Sequence, residues 1–435
     1  MEDDKKKNIS LSRRRFLEKA AAVSAFFIVP RCVLGGQGYL APSDRITLGF
    51  IGTGKQSGSL LSKFNGTGQV QIMAASEVYA NKLAHFQQQV QRHARTGTRG
   101  PSHQGCQPYT DFREILLRPD VDAVVIATPD HWHAVQAVLA ARAGKDIYCE
   151  KPLSLTINEG RAMVEAARKH NRVFQTGSMQ RSWPEFRQAV ELVRHGYIGE
   201  VRKVHVSVGD PPKDFDLPEE QVPAGLNWDR WLGPNLYHPY HKELAPSLEM
   251  NIWARWRYYK GLGGGDVTDW GAHMFDIAQW GLDRDHSGPT DIIPPNGQDV
   301  PHLTMRYSNG TSVLHVPSAS DRSVTFFGTE GEVEVGRNSL VTKPGSLKRE
   351  KIKPSESKVY RSKDHYLDWL TAIRNRTRPI CDVEIGHRTA TVCNLVNIAY
   401  ELNRPLQWDP ENEKFKDDPE ANTFLSRPMR KEWAI

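Results

Sequence analysis

Cysteine is scarce in this chain: Cys32, Cys106, Cys149, Cys381 and Cys393 are the five among 435 residues, with no CxxC pair and no close spacing. That excludes a disulfide framework and a zinc-finger-like site. Long apolar runs are missing too, since the stretch from Ala20 to Val29 is too short to cross a bilayer as an ordinary transmembrane helix. Charge of one sign is also in short supply. The formal net charge is +6, but residues 1–31 hold eight Lys or Arg against four Asp or Glu, leaving about +2 for the rest, too little for a nucleic-acid surface. There is no internal repeat and no low-complexity tract. What is present, 39% hydrophobic and 25% charged residues, is ordinary for a globular protein. The length exceeds the size at which one core stops growing, so two domains are expected.

The N-terminal stretch "SRRRFLEKAAAVSAFFIVP" joins the basic cluster Arg13 to Arg15 to the short apolar run, the pattern of an export signal over 1–34. Ser12, Arg13, Arg14, Phe16 and Leu17 resemble the twin-arginine pattern, whose machinery carries folded proteins across the membrane. The expectation is an exported, periplasmic protein with no stable membrane span after processing. Arg31 precedes Cys32 where lipid attachment needs a small residue, and no clear cleavage site follows. The plainer alternative is an uncleaved basic amphipathic arm.

From Ile46, "ITLGFIGTGKQSGSLLSKF" reads as a short strand, a glycine turn and a helix. Gly52 permits the tight bend, and Gly54 lets backbone approach a pyrophosphate seated on the helix N-terminus, with Lys55 and Gln56 beside it. Ser57 stands where the usual third glycine falls, and Gly58 comes one later. The next strand-like run, "VQIMAAS", ends at Glu77, placed to accept hydrogen bonds from an adenosine ribose and to repel a 2′-phosphate; NAD is therefore favoured over NADP. "DAVVIATP", "KDIYCEKP" and "NRVFQTG" are apolar strands of the kind buried on both faces, alternating with helical segments. This alternation gives a doubly wound parallel sheet over 44–176.

Ligands bind at the carboxyl ends of such strands. The residues there are Thr128, Pro129, Asp130, His131, Trp132 and His133, then Glu150, Lys151 and Pro152, then Met179, Gln180 and Arg181. Lys151, between Glu150 and Pro152, is placed for proton transfer beside a nicotinamide, though a surface lysine is the bland alternative. "HWH" has no matching ligand set, so no metal is expected. Further on, "GLGGGDVTDWGAHMFDIAQW" sets Asp269 four residues before His273. On one helix these would share a face, a carboxylate orienting an imidazole base, or else a capped amphipathic helix with a satisfied core histidine.

The glycine turn, "ATPDHWHAVQAVLAARAGKDIYCEKPLS" and the GGGxxxDxGxHxxD segment together resemble the Gfo/Idh/MocA oxidoreductases, over about 44 to 433. The resemblance implies that Lys151 contacts substrate and nicotinamide ribose, and that Asp269 and His273 bind and deprotonate a hydroxyl of a sugar or cyclitol. The glycines would then let backbone come close to ligand. Hydride passes between the carbinol carbon and nicotinamide, and ketone reduction is the reverse. It implies, too, assembly of like subunits through the second domain's sheet.

That second domain, 177–435, shows short alternating strands with Asn-Gly and Glu-Gly turns, an α+β unit with a large, mostly antiparallel open sheet. An insertion from Pro211 to Gly261 is rich in Pro, Trp and Tyr; its aromatics and Arg257 suit either sugar recognition or packing of the loop on itself. Two tail helices follow, with the option of packing back on the first domain. The leading expectation is an NAD-dependent oxidoreductase of a sugar, glycoside or cyclitol with tightly held cofactor. The alternatives are an NAD-dependent glycoside-cleaving enzyme working through transient oxidation, and a non-catalytic carbohydrate-binding protein.

Overall fold

Five apolar runs pair side by side, and a sixth strand that the sequence pattern does not announce closes one edge. In the computed structural model, which describes residues 41, 44–96, 105–318 and 320–435, these are β1 (Ile46–Ile51), β2 (Val70–Ser76), β3 (Gln107–Tyr109), β4 (Ala123–Ile126), β5 (Asp146–Cys149) and β6 (Phe174–Thr176). The export-signal reading, with Cys32, falls outside the described residues. All pairings are parallel, in the order β3-β2-β1-β4-β5-β6. Every residue of β4 and β5 is buried, which is why β4 reads as an unbroken apolar run and β5 as one after Asp146, whose carboxylate is paired with Arg376.

Helices cover both faces: α1 (Lys55–Thr67), α2 (Ala80–Thr96), α3 (Phe112–Leu116), α4 (Asp130–Arg142) and α5 (Ile157–Lys169). Gly68 ends α1 in the left-handed conformation at φ 68°, and α5 begins with the Thr156–Glu159 capping box. α4 is buried nearly all round because it lies between the sheet, α5 and the C-terminal tail, where Trp433 meets Trp132 edge-on at 4.8 Å. The strand order reverses between β1 and β4, so their carboxyl ends open a crevice.

Downstream, α6 (Pro184–Arg194) leads to β7 (Val201–Val208), and the insertion carries α7 (Trp228–Leu232). Two short helices follow, α8 (Gly265–Asp269) and α9 (Gly271–Gly281). The remaining strands are β8 (Asp291–Ile293), β9 (Leu303–Arg306), β10 (Ser312–Pro317), β11 (Ser323–Gly328), β12 (Glu332–Gly336) and β13 (Ser339–Lys343), then β14 (Leu406–Asp409) and β15 (Lys414–Phe415). They form a nine-stranded sheet, β13-β12-β11-β7-β10-β9-β8-β14-β15, antiparallel except where β7 and β10 run together. One face carries the largest core, with α6, α9 and the helix α11 (Val383–Leu402).

The helix α10 (His365–Asn375) is capped by Asp364, whose side chain accepts from the Tyr366 and Leu367 amides. Its Trp369, Leu370, Ala372 and Ile373 join Leu48, Phe50 and Phe64 in the core on one face of the parallel sheet. In the insertion, Trp228 and Trp231 stack at 4.5 Å and bury with Tyr240, Trp256 and Tyr259, so most of its aromatics pack the loop on itself. No helix among the described residues is long and apolar enough to cross a membrane.

Candidate functional site

The chain turns at Gly52 with φ 84°, and a Cβ there would lie 2.8–2.9 Å from Thr128 and Ala127, so only glycine fits. Gly54 has nothing within 4 Å of its Cβ position and caps α1 without a side-chain hydrogen bond, leaving the helix N-terminus open to an anion. Ser57 is fully buried, and its hydroxyl donates to Gly52 O at 2.6 Å, which accounts for a serine at the third glycine position. Just after β2, Glu77 accepts from the amides of Thr53 (2.9 Å), Val78 (2.8 Å) and Tyr79 (3.1 Å). The carboxylate thus braces the turn as well as facing the crevice.

These groups line a cleft of about 770 Å³ that continues to Met179, Lys151, Asp269, His273 and Arg257, a size usual for a ligand site. Lys55 donates to Asn251 O at 3.0 Å and lies over Trp253, tying the insertion to the glycine turn. Gln56 donates to Glu150 at 3.0 Å. Burial pushes the Glu150 carboxyl up, against the pull of that bond and of Lys151. The uncapped helix, the Cβ-free turn and the strand-end carboxylate fit a dinucleotide.

At the other end, Lys151 Nζ donates to Asp269 Oδ1 at 2.6 Å and to Asp269 O at 2.8 Å. Arg257, stacked on Trp256 at 4.3 Å, brings Nε to 3.6 Å from the same Oδ1. Burial alone would raise the Asp269 carboxyl; Lys151 and Arg257 outweigh it and hold it down at about 2. His273 is 3% exposed, and burial, with the charges of Lys151 and Arg337, pushes its imidazole well below the usual histidine range. Its Nδ1 has no hydrogen-bond partner among the described residues. A neutral imidazole with a free nitrogen beside a clamped lysine can take and return a hydroxyl proton.

Several expectations are corrected. Asp269 and His273 do not share one helix: Asp269 ends α8, His273 lies in α9, and Trp270 joins them. Nor does Asp269 orient the imidazole by a hydrogen bond, because its carboxylate is held by Lys151 and Arg257. The glycines serve protein packing rather than ligand approach, for Cβ atoms at Gly263, Gly264 and Gly265 would strike Arg257 backbone, the Thr268 side chain and the backbone at Asp210 to Pro212 at 2.3–2.7 Å.

His131 and His133 do not line the cleft; both are buried. His131 Nε2 lies 2.9 Å from Trp231 O, and the His133 ring nitrogens lie 2.8 and 3.0 Å from Pro152 O and Thr128 O. Gln180 and Arg181 are 1% exposed and do not line the cleft. Arg181 is gripped by Asp276 (2.8 Å) and Asp285 (2.7 Å), which overcome burial and keep it charged. It is a buried ion triad, not a substrate contact.

The cleft also holds further residues, including Arg322 and Arg337, which no sequence pattern singles out. Asp130, one of the residues at the β4 strand end, lines it at the start of α4, where burial pushes its carboxyl well above the usual range. Trp253 and Tyr258 are the exposed aromatics of the insertion on this cleft, at 53% and 40%. Arg322 and Arg337 come from either side of β11 and β12 and carry no local motif.

Residues 46–178 match the NAD-binding Rossmann-fold domain of the Gfo/Idh/MocA oxidoreductase family, and residues 210–435 match its C-terminal alpha/beta domain. The chain belongs to this family of oxidoreductases. It is similar to levoglucosan dehydrogenase of Pseudarthrobacter phenanthrenivorans, 41% identical over 172 residues, 39% of this chain and 35% of that protein. A glycosyl hydrolase family 109 protein of Stenotrophomonas maltophilia is 25% identical over 326 residues, 70% of this chain and 68% of that one. The fold is shared with an aldose-aldose oxidoreductase from Caulobacter crescentus complexed with glycerol, at 19% identity and TM-score 0.58, covering 83% of this chain and 99% of that one. The chain spans about half or less of the length of several curated relatives it matches.

Proposed function

We propose that this protein moves hydride between NAD and a hydroxyl-bearing carbon of a sugar, glycoside or cyclitol. The observation that carries the reading is the Lys151–Asp269 ion pair at 2.6 Å in one cleft with His273, whose Nδ1 has no partner among the described residues, and with the glycine turn. NAD, when bound, supplies the hydride acceptor or donor; Gly52, Gly54 and the α1 N-terminus would hold its pyrophosphate, with Glu77 favouring NAD over NADP. His273 takes the hydroxyl proton, and Lys151 hydrogen-bonds the same oxygen while Asp269 fixes its ammonium in place. Incubating purified protein with a panel of glycosides and cyclitols, while following nicotinamide absorbance and product mass, tests this. Absence of hydride transfer to or from every member would overturn it.

A second reading is glycoside cleavage through transient oxidation, favoured by the family 109 glycosyl hydrolase relative that spans most of the chain. It begins with the same hydride abstraction, and a released aglycone with no net NADH distinguishes it. The protein is further proposed to be exported by the twin-arginine route with NAD already bound, because a folded-protein pathway lets the cofactor be loaded before crossing, and to assemble with its own copies through the nine-stranded sheet. Denaturing the exported protein and assaying the supernatant for nicotinamide dinucleotide tests the loading. Protein that arrives empty would rule it out.

A further inference from the structure

Two guanidiniums stack on one ring beside the proposed catalytic pair. Arg322 lies 4.0 Å and Arg337 4.4 Å from the centroid of Trp270, the residue that follows Asp269. Both line the cleft with Lys151 and His273. Arg322 precedes β11 and Arg337 sits in the turn between β12 and β13, so the edge of the second sheet delivers them together. Both are half-buried, and neither is neutralised by a close carboxylate. Arg337 forms no ion pair among the described residues, Arg322 makes one loose pair with Asp266 at 3.4 Å, and the Nε of each is buried without a partner.

The local charge is unbalanced. Lys151, Arg257, Arg322 and Arg337 line this end of the cleft with Asp269, Asp130 and Glu150, and burial holds the last two carboxyls toward their neutral forms; among the described residues Asp266 pairs only with Arg322, from outside the cleft. Stacking on Trp270 offsets part of the cost of desolvating the cations; the Nε of each is enclosed in the protein and Arg322 Nη2 donates to Asp266 at 3.4 Å, which leaves Arg322 Nη1 and the two Nη groups of Arg337 for the oxygens of an oxyanion. By contrast, Arg181, which is fully buried, has both edges filled by carboxylates.

Resting on the sugar-oxidoreductase reading above, we infer that Arg322 and Arg337 form an oxyanion subsite, and that the substrate is an acidic sugar whose carboxylate they bind while its hydroxyl meets His273. A phosphate ester would present the same oxygens, and the two sources are separable by experiment.

NAD-loaded protein is titrated calorimetrically with a methyl hexuronide, a hexose 6-phosphate and the matching neutral methyl hexoside. The hexuronide binds about 10- to 100-fold more tightly than the neutral sugar, the worth of a charged hydrogen-bonded contact, and the advantage shrinks as salt is raised. Arg337→Gln loses most of that advantage while nicotinamide occupancy is unchanged. Should Arg337→Gln not fold, the selectivity of the unaltered protein still decides. Equal affinity for acidic and neutral sugars overturns the subsite, and tighter binding of the phosphate ester overturns the carboxylate assignment. Selective binding of the hexuronide without hydride transfer from any sugar would keep the subsite and overturn the oxidoreductase reading; turnover of neutral sugars with no preference for acid does the reverse.

Discussion

Lys151 holds Asp269 twice, through the carboxylate and through the backbone carbonyl, so the β5 strand end fixes both the charge and the position of the α8 terminus. A backbone contact cannot be restored by moving the aspartate side chain. Lys151 is therefore one anchor of the α8–α9 junction that carries His273 as well as a charge in the cleft.

Replacing His273 or Lys151 by alanine is expected to lower turnover about a hundredfold or more, the usual cost of one positioned acid-base group. Asp269 keeps Arg257 at 3.6 Å in Lys151→Ala, so the buried carboxylate is not left wholly unpaired. Single-turnover nicotinamide absorbance checks this, and near-normal rates in either variant would remove that residue from the mechanism.

Glu77→Gln removes the repulsion toward a 2′-phosphate and keeps one acceptor oxygen, at the cost of setting its NH2 against either the Thr53 amide or those of Val78 and Tyr79. The expected result is a narrower gap between NAD and NADP affinity, read by fluorescence titration. Glu77→Ala weakens NAD further by freeing the turn. An unaltered protein that prefers NADP would contradict this role for Glu77.

Arg181→Leu leaves Asp276 and Asp285 facing each other without their cation. Removing one partner of a buried ion pair costs about 3–5 kcal/mol, so the urea midpoint falls while the nicotinamide affinity of the folded fraction stays. A substrate contact would instead show normal stability and a raised KM.

His365 is 3% exposed, and burial pushes its pKa down to about 3. The folded value is depressed, so below pH about 6.5 the unfolded chain takes up a proton that the folded one refuses. Stability present above that pH is lost as pH falls toward 3, by up to about 1.4 kcal/mol per unit. His365→Asn lacks this term, so the stability gap between unaltered protein and variant narrows from pH 7 to pH 4 in paired melting curves. A gap independent of pH would show that His365 titrates normally.

Local pattern determined much of this protein. Runs such as Ala123–Ile126 are apolar because both faces of their strand are covered, and period and turn residues alone separate the parallel sheet from the alternating strands downstream. Gly52 is legible because its backbone angle excludes other residues, and Lys151 because a strand end precedes it. Burial and partnership across the chain were decided only in three dimensions. Arg181 looks like any strand-end cation until Asp276, 95 residues away, closes on it, and His131 looks like a ligand until Trp231, 100 residues away, takes its nitrogen. The glycines before Asp269 carry no mark that distinguishes room for a ligand from room for Pro211 backbone. Arg322 and Arg337 reach Trp270 because β11, β12 and β13 pair in register, and a long-range pairing leaves no spacing to read in the chain that makes it.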